Sequence, residues 1–371
     1  MRRASALLGT LPLLLFACTT GGTTVEADSS PPPAEPSQAF ATSVTLDLPV
    51  TSITDPHVVL DGGGGVHLIW SDDSLADGVV RHADVERGSS GVPEVISDPF
   101  DVTFGTTPVL ARPGGQVCAF FDAFEDETDP STHGFFMRCL SDGLWSAPEL
   151  VAREGITTTF DPAFDPDGVA HAAGTTPISS VTFEGRELSS KDNDAAGQSI
   201  LAIDAAGRYH VVWYELGTGF EMNHRVSTDA GATWSPIEVL VGTEFFVPDP
   251  TLIAASDGTV HLFYGDSPLF HRVWTADGGW GELETGPGCG GAFAFALTTD
   301  DVPVAACANI GGIHLTTVAD GAWTSLEPVD GSTDVPATTV SLAVGADGTR
   351  HVAWVTASDP PELRYATVPV G

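Results

Sequence analysis

The chain is 371 residues long and carries 50 Asp and Glu against 14 Lys and Arg, a formal net charge of −36. A surface of that sign repels nucleic acid and anionic lipid headgroups, which excludes both as direct partners and leaves cations, basic proteins or neutral glycans. The bland alternative is an acidic surface that only keeps the protein soluble.

Residues 1–17 read as an export signal. Arg2 and Arg3 form its positive end, and the apolar run behind them is too short to span a bilayer and is interrupted by Pro12. It ends in Leu15-Phe16-Ala17-Cys18. This resembles the lipobox of bacterial lipoproteins, with Phe16 where a smaller residue is usual. The resemblance implies cleavage before Cys18 and lipidation of its thiol. The other reading is an ordinary cleavable signal with an incidental cysteine. Residues 18–40 are rich in Thr, Gly, Ser and Pro and hold too little apolar surface to offset the entropy of ordering, so a flexible tether is expected. Thr19 follows the cysteine, so no Asp is present as an inner-membrane retention signal. In a Gram-negative host that points to the outer membrane, touched only through the lipid.

Residues 41–371 form the globular part, in which one phrase recurs: an apolar strand, an Asp/Gly turn, then a strand with a His and an aromatic. It reads HVVLDGGGGVHLIWSDD from His57, PVLARPGGQVCAFFDA from Pro108, PAFDPDGVAHAAG from Pro162 and SILAIDAAGRYHVVWYE from Ser199. It returns as PTLIAASDGTVHLFYGD from Pro250, AFAFALTTDDVPVAACA from Ala292 and TVSLAVGADGTRHVAWVT from Thr339. The spacing of about 40–50 residues is that of propeller blades. A third strand follows in most units, such as GFFMRCLS or EMNHRVST, then a turn and a fourth strand such as LWSAPELV, TWSPIEVL or AWTSLEPV. Alternating apolar and β-branched residues between Gly/Asp turns argue for short antiparallel strands. The expected fold is all-β, a seven-bladed β-propeller. The unit at Pro162 lacks a Trp in its outer half, so a six-bladed ring with an irregular insert is the alternative. The last unit ends after its third strand, while SVTLDLPV at 43–50 precedes the first unit. Pairing the two would close the ring and remove an exposed edge.

His67, His171, His210, His261 and His351 occupy one slot in five units, and His82, His224, His271 and His314 lie on third strands. Histidines spread around a ring cannot all ligate one metal, so a structural role is expected, packing on the next blade or bonding a turn. The same holds for Trp70, Trp213 and Trp354. Besides Cys18 there are cysteines at 118, 139, 289 and 307. An even number in an exported protein suggests disulfides, with three pairings open; the repeat frame favours Cys118–Cys139 and Cys289–Cys307.

Ser227-Thr228-Asp229-Ala230-Gly231-Ala232-Thr233-Trp234 resembles the Asp box, S-x-D-x-G-x-T-W, of sialidases and other BNR-repeat propellers. The resemblance implies a rim turn between third and fourth strands. In it Ser227, Asp229 and Thr233 bond turn amides, Gly231 takes a left-handed conformation and Trp234 packs between strands. Degenerate copies end at Trp145, Trp280 and Trp323. Sialidases also use three arginines, a Tyr nucleophile with a Glu partner, an Asp acid/base and an Arg-Ile-Pro phrase; here ITDPHVVLD stands at the last. Tyr209, Tyr214, Tyr264 and Tyr365 have no evident Glu-paired setting, and Arg81, Arg138, Arg225, Arg272 and Arg364 fall on third strands. No catalytic set transfers.

The loops between second and third strands, and the connections into inner strands, are acidic. Asp55-Pro56, Asp161-Pro162 and Asp249-Pro250 are expected in the connections just before inner strands, and Asp72, Asp73 and Asp126 in the acidic loops. Hard oxygen donors suit Ca²⁺, which makes these six a candidate metal or ligand face; the alternative is that Asp-Pro merely starts a strand. No cofactor is required. The reading that results is a lipid-anchored, exported propeller that binds a protein or a glycan at the cell envelope. The alternatives are a sialidase-like glycoside hydrolase and a structural component of an envelope complex.

Overall fold

The computed structural model describes residues 42–45, 53–72, 78–86, 89–90, 93–97, 101–102, 108–124, 129, 132–152, 159–176, 180–189, 196–216, 220–243, 250–265, 267–333 and 335–370. The expected signal segment at 1–17, Cys18 and the expected tether at 18–40 lie outside these residues, as do positions 46–50, Asp73, Asp126 and Asp249.

The described strands form seven antiparallel sheets, the blades of a seven-bladed β-propeller. Blade one comprises Thr54–Leu60, Val66–Asp72 and Val79–Glu86, with Ser89–Ser90 and Glu94–Val95 outermost. Blade two comprises Val109–Arg112, Gln116–Phe124 and His133–Ser141, with Leu144–Trp145 and Glu149–Ala152 outside. Blade three is Thr159–Phe164, Ala170–Thr175, Val181–Phe183 and Arg186–Glu187. Blade four is Ala196–Ile203, Tyr209–Leu216, Phe220–Ser227 and Glu238–Thr243. Blade five is Thr251–Ala254, Val260–Tyr264 and Phe270–Thr275, with Gly279–Trp280 and Glu284–Thr285 outside. Blade six is Phe293–Leu297, Pro303–Asn309 and Gly312–Ala319, with Ala322–Trp323 and Glu327–Pro328 outside. The unit at Pro162 is therefore a blade in its own right, not an insert.

Blade seven supplies only three strands from the C-terminal part, Ala337–Val344, Arg350–Thr356 and Leu363–Val368. Its fourth is Thr42–Thr45, antiparallel to the last strand with Thr42 opposite Thr367 and Thr45 opposite Arg364. The expected closure is present, with the pairing strand beginning one residue earlier than read from sequence.

The first hairpin of each blade turns on a repeated chemistry. In blades one, three and four an Asp carbonyl accepts from a Gly three residues on: Gly64 N–H to Asp61 O, Gly168 to Asp165 and Gly207 to Asp204, at 2.8–3.0 Å. Those glycines have φ of +73° to +82°, the left-handed region that a side chain disfavours.

The core lies between blades rather than within them. Seven apolar clusters each join two consecutive blades, and one of them joins blade seven to blade one through Trp70, Leu68, Val355 and Tyr365. This follows from the two-residue period of a strand. On the second strand of blade four, Val211 and Trp213 pack toward blade three while Val212 and Tyr214 pack toward blade five. Trp70, Trp213 and Trp354 are fully buried.

The disulfides are Cys118–Cys139 and Cys289–Cys307. The first links direct cross-strand partners of blade two. In the second, Cys289 lies in the connection before the inner strand of blade six rather than on a strand. No helix among the described residues is long and apolar enough to cross a membrane.

Candidate functional site

The inner strands of blades two to six wall a central cavity of about 650 Å³. Its lining is mostly apolar, with Leu110, Pro162, Ile200, Leu252 and Phe295 among the contributors. Among the described residues one carboxylate lines it, Asp161. Asp161 sits opposite Ala173 in the blade-three ladder, and its Oδ2 accepts the backbone N–H of Leu201 from blade four at 2.6 Å. Burial pushes its carboxyl up to about 7, against the pull of that hydrogen bond. A carboxyl shifted to near neutrality can hold or release a proton at neutral pH, and this one lies in a mostly apolar wall.

The other described acids of the candidate face are separately engaged. Asp55 lies at a ladder irregularity at the start of the blade-one inner strand, with φ +48°, and its Oδ2 is 3.2 Å from His57 Nε2. Asp72 is buried and forms an ion pair with Arg81 Nε at 2.6 Å. Asp73, Asp126 and Asp249 lie outside the described residues. The one described group of three ligating atoms within 4.8 Å of each other is instead His67, His82 and Asp84, in blade one.

The repeated histidines build relays inside and between blades. In blade four, Trp280 Nε1 of blade five donates to His224 Nδ1 at 3.1 Å. His224 Nε2 stands 3.2 Å from His210 Nδ1, and His210 Nε2 stands 3.4 Å from Asp204 Oδ2. Neutral rings satisfy every step: the Trp N–H meets a lone pair, each ring donates onward, and the carboxylate ends the chain. Burial raises the Asp204 carboxyl, but His210 and the backbone and guanidinium of Arg208 more than reverse this and hold it at about 2. In blade five the direction reverses. His271 Nδ1 donates to Glu284 Oε2 at 2.9 Å, so its Nε2 accepts from His261 Nδ1 at 3.0 Å. Tyrosines replace one partner elsewhere: Tyr209 Oη lies 3.0 Å from His171 Nε2 and Tyr365 Oη 2.6 Å from His351 Nδ1.

Trp145, Trp280 and Trp323 of the outer-strand phrases set their rings edge-on against His82, His224 and His271 of the preceding blade. Trp234 does the same against Phe183 of blade three. In the turn before Trp234, Asp229 accepts from Thr233 N and Thr233 Oγ1, both at 2.7 Å, and Ser227 Oγ accepts from Gly231 N at 2.9 Å. Gly231 has φ +79°. Arg186 of blade three donates to the Gly231 and Ala232 carbonyls. Three of the third-strand arginines behave alike. Arg138, Arg225 and Arg272 donate to the carbonyls of Ile96, Leu188 and Leu240 on the preceding blade.

The sequence places these histidines and arginines on the right strands and leads to an expectation of packing on the next blade, but it does not identify the partners that each one meets. The available signal was the Glu of the outer-strand phrase: Glu94, Glu238 and Glu284 are the ladder partners of His82, His224 and His271.

No protein-family model matches the chain, and comparison with curated proteins finds no match. Solved structures share the fold. A protein of unknown function from Dyadobacter fermentans is similar with a TM-score of 0.53 at 12% identity, over 90% of this chain and 99% of that one. An α-L-arabinofuranosidase from Fusarium graminearum, solved with an iminosugar inhibitor, is similar with a TM-score of 0.51 at 12% identity, over 88% and 97%. A Trypanosoma rangeli sialidase matches with a TM-score of 0.47 at 11% identity, over 86% of this chain and 55% of that one. Likeness at these identities is likeness of fold.

Proposed function

We propose that the protein is an exported binding module, held at the cell envelope by a lipid on Cys18 and taking a protein or a glycan at its central channel. The channel carries the reading. Its wall offers a broad apolar surface from five blades, and Asp161 is its only described carboxylate. Hydrolysis by paired carboxylates needs a second acid about 5–9 Å away. The turn at 227–234 fits the same picture: as an Asp box it is a folding staple, with Asp229 and Ser227 turned onto their own backbone amides. Ca²⁺ at the acidic face read from the sequence (Asp55, Asp161, Asp249, Asp72, Asp73 and Asp126) remains part of this proposal, and of the described members Asp161 is the one that lines the channel. Calorimetric titration with Ca²⁺ tests it, and heat that Asp55→Asn leaves unchanged counts against it.

A glycan array together with fluorogenic glycosides, an α-L-arabinofuranoside and a sialoside included, tests the function. Binding without turnover is the expected result. Turnover abolished by Asp161→Asn would replace the binding reading with the hydrolase. Cys18→Ser should release the protein from the membrane fraction; retention there would count against the lipid anchor.

A further inference from the structure

The facing histidines of blades four and five close neutral relays because only one end of each pair meets a carboxylate at hydrogen-bond distance. Blade one differs at both ends. His67 Nε2 faces Asp61 Oδ2 at 3.4 Å, and His82 Nδ1 faces Glu94 Oε1 at 2.9 Å. An ionised carboxylate only accepts, which favours the ring proton on each outer nitrogen; the Trp145 N–H, 3.3 Å from His82 Nδ1, is taken up at shorter range by Glu94 Oε1 at 2.9 Å. The inner nitrogens, His67 Nδ1 and His82 Nε2, are then lone pairs 3.1 Å apart. A third acceptor joins them. Asp84 is the cross-strand partner of His67, and its Oδ1 lies 2.7 Å from His67 Nδ1 and 3.3 Å from His82 Nε2. Blades four and five carry Val226 and Val273 at that position. Both imidazoles of blade one are more than nine-tenths buried, at 8% and 4% side-chain exposure. In that tautomer the three atoms are converging acceptors, an arrangement relieved either by a proton on an inner nitrogen or by a metal cation between them.

We propose that His67 Nδ1, His82 Nε2 and Asp84 Oδ1 bind a divalent transition metal ion of the zinc class. Three ligands about 2.0–2.1 Å from one metal stand about 3.3 Å apart in a tetrahedron, or about 2.9 Å apart on an octahedral face. The three separations here, 2.7, 3.1 and 3.3 Å, fall around those values. Two imidazoles and one carboxylate suit zinc or iron(II) rather than the all-oxygen shell of Ca²⁺. Asp61 and Glu94 hold the rings in the ligating tautomer, the usual arrangement behind a metal-bound histidine. Glu94 is itself fixed by Trp145 Nε1 of blade two at 2.9 Å. The site opens on a cleft of about 730 Å³ between blades one and two, bounded by the turns at Asp61, Pro113 and Asp142. Three protein ligands leave a coordination position for water or an incoming ligand from that cleft.

Titration of the chelator-treated full-length chain with Zn²⁺, followed by calorimetry, tests the site. One tight equivalent is expected, and Co²⁺ in its place should give visible d–d absorption. Asp84→Val installs the residue that blades four and five tolerate and, as loss of a direct ligand, should weaken binding by more than the roughly 10–100-fold that loss of an outer-shell partner costs. Should that variant not fold, Asp84→Asn takes its place. His210→Gln in blade four should leave the affinity unchanged. Absence of a tight equivalent, or one that the Asp84 variant retains within twofold, overturns the assignment, since the acidic surface would then account for any binding.

Discussion

Trp280 Nε1 of blade five donates to His224 Nδ1 of blade four at 3.1 Å. That contact fixes the direction of the whole relay, through His210 to Asp204, and ties two blades together by polar atoms as well as by apolar packing. Trp280→Phe keeps the packing and strips the donor. It should cost about 1–3 kcal/mol, the penalty for an unsatisfied buried acceptor, read as a lower urea midpoint with unchanged slope.

Burial holds His210, His224, His261 and His271 below the ordinary histidine range, with His261 at about 4. Their unfolded forms take up protons first as pH falls. Stability is therefore present above about 6.5 and is lost as pH drops toward 4. A series of melting temperatures from pH 7.5 to 4.5 should decline, and His261→Gln should flatten the slope. A melting temperature rising over that range would contradict the buried, neutral relays.

Asp161 runs the other way. Its folded carboxyl titrates at about 7, well above the unfolded value, so its contribution is present at low pH and lost as pH rises from about 4 to 7. Asp161→Asn keeps an acceptor for Leu201 N–H and cannot ionise. It should match the wild type at pH 4 and exceed it by up to about 4 kcal/mol at pH 8 in urea unfolding. Equal stabilities at both pH values would show the carboxyl to be solvated.

Two glycines separate conformational from steric cost. A Cβ on Gly143, φ +76°, meets nothing within 4 Å, whereas on Gly231, φ +79°, it would stand 2.5 Å from the Phe183 ring. Gly143→Ala should cost about 1 kcal/mol from the backbone alone. Gly231→Ala should cost distinctly more, because the blade-four rim turn must leave blade three. Thermal shift of the two variants decides it.

Deleting residues 42–45 would leave Leu363–Val368 as an open edge. The variant should melt lower and self-associate, seen by light scattering, since unpaired strand edges recruit other edges.

The alternation of apolar residues, the Asp/Gly turns and the seven returns of one phrase are local features, fixed by backbone sterics and strand period, and they were legible in order along the chain. So were ring closure and both cysteine pairings, because the repeat frame assigns each residue to a strand. The partners of the histidines were not legible. His224 and Trp280 are 56 residues apart, and only the packing of one blade on the next brings them to 3.1 Å. The same holds at the candidate sites. Asp55, Asp72 and Asp161 looked equivalent as acids near loops, yet each is taken up by a different neighbour: His57, Arg81 and the Leu201 amide. Asp84 looked like one acid among 50. It stands out only when the ladder sets it opposite His67, where two sister blades carry valine. By itself the sequence determined the blades, since strand formation depends on neighbours along the chain. Tertiary structure alone decided which polar groups meet, since that depends on the register of two strands and the seating of one sheet on another.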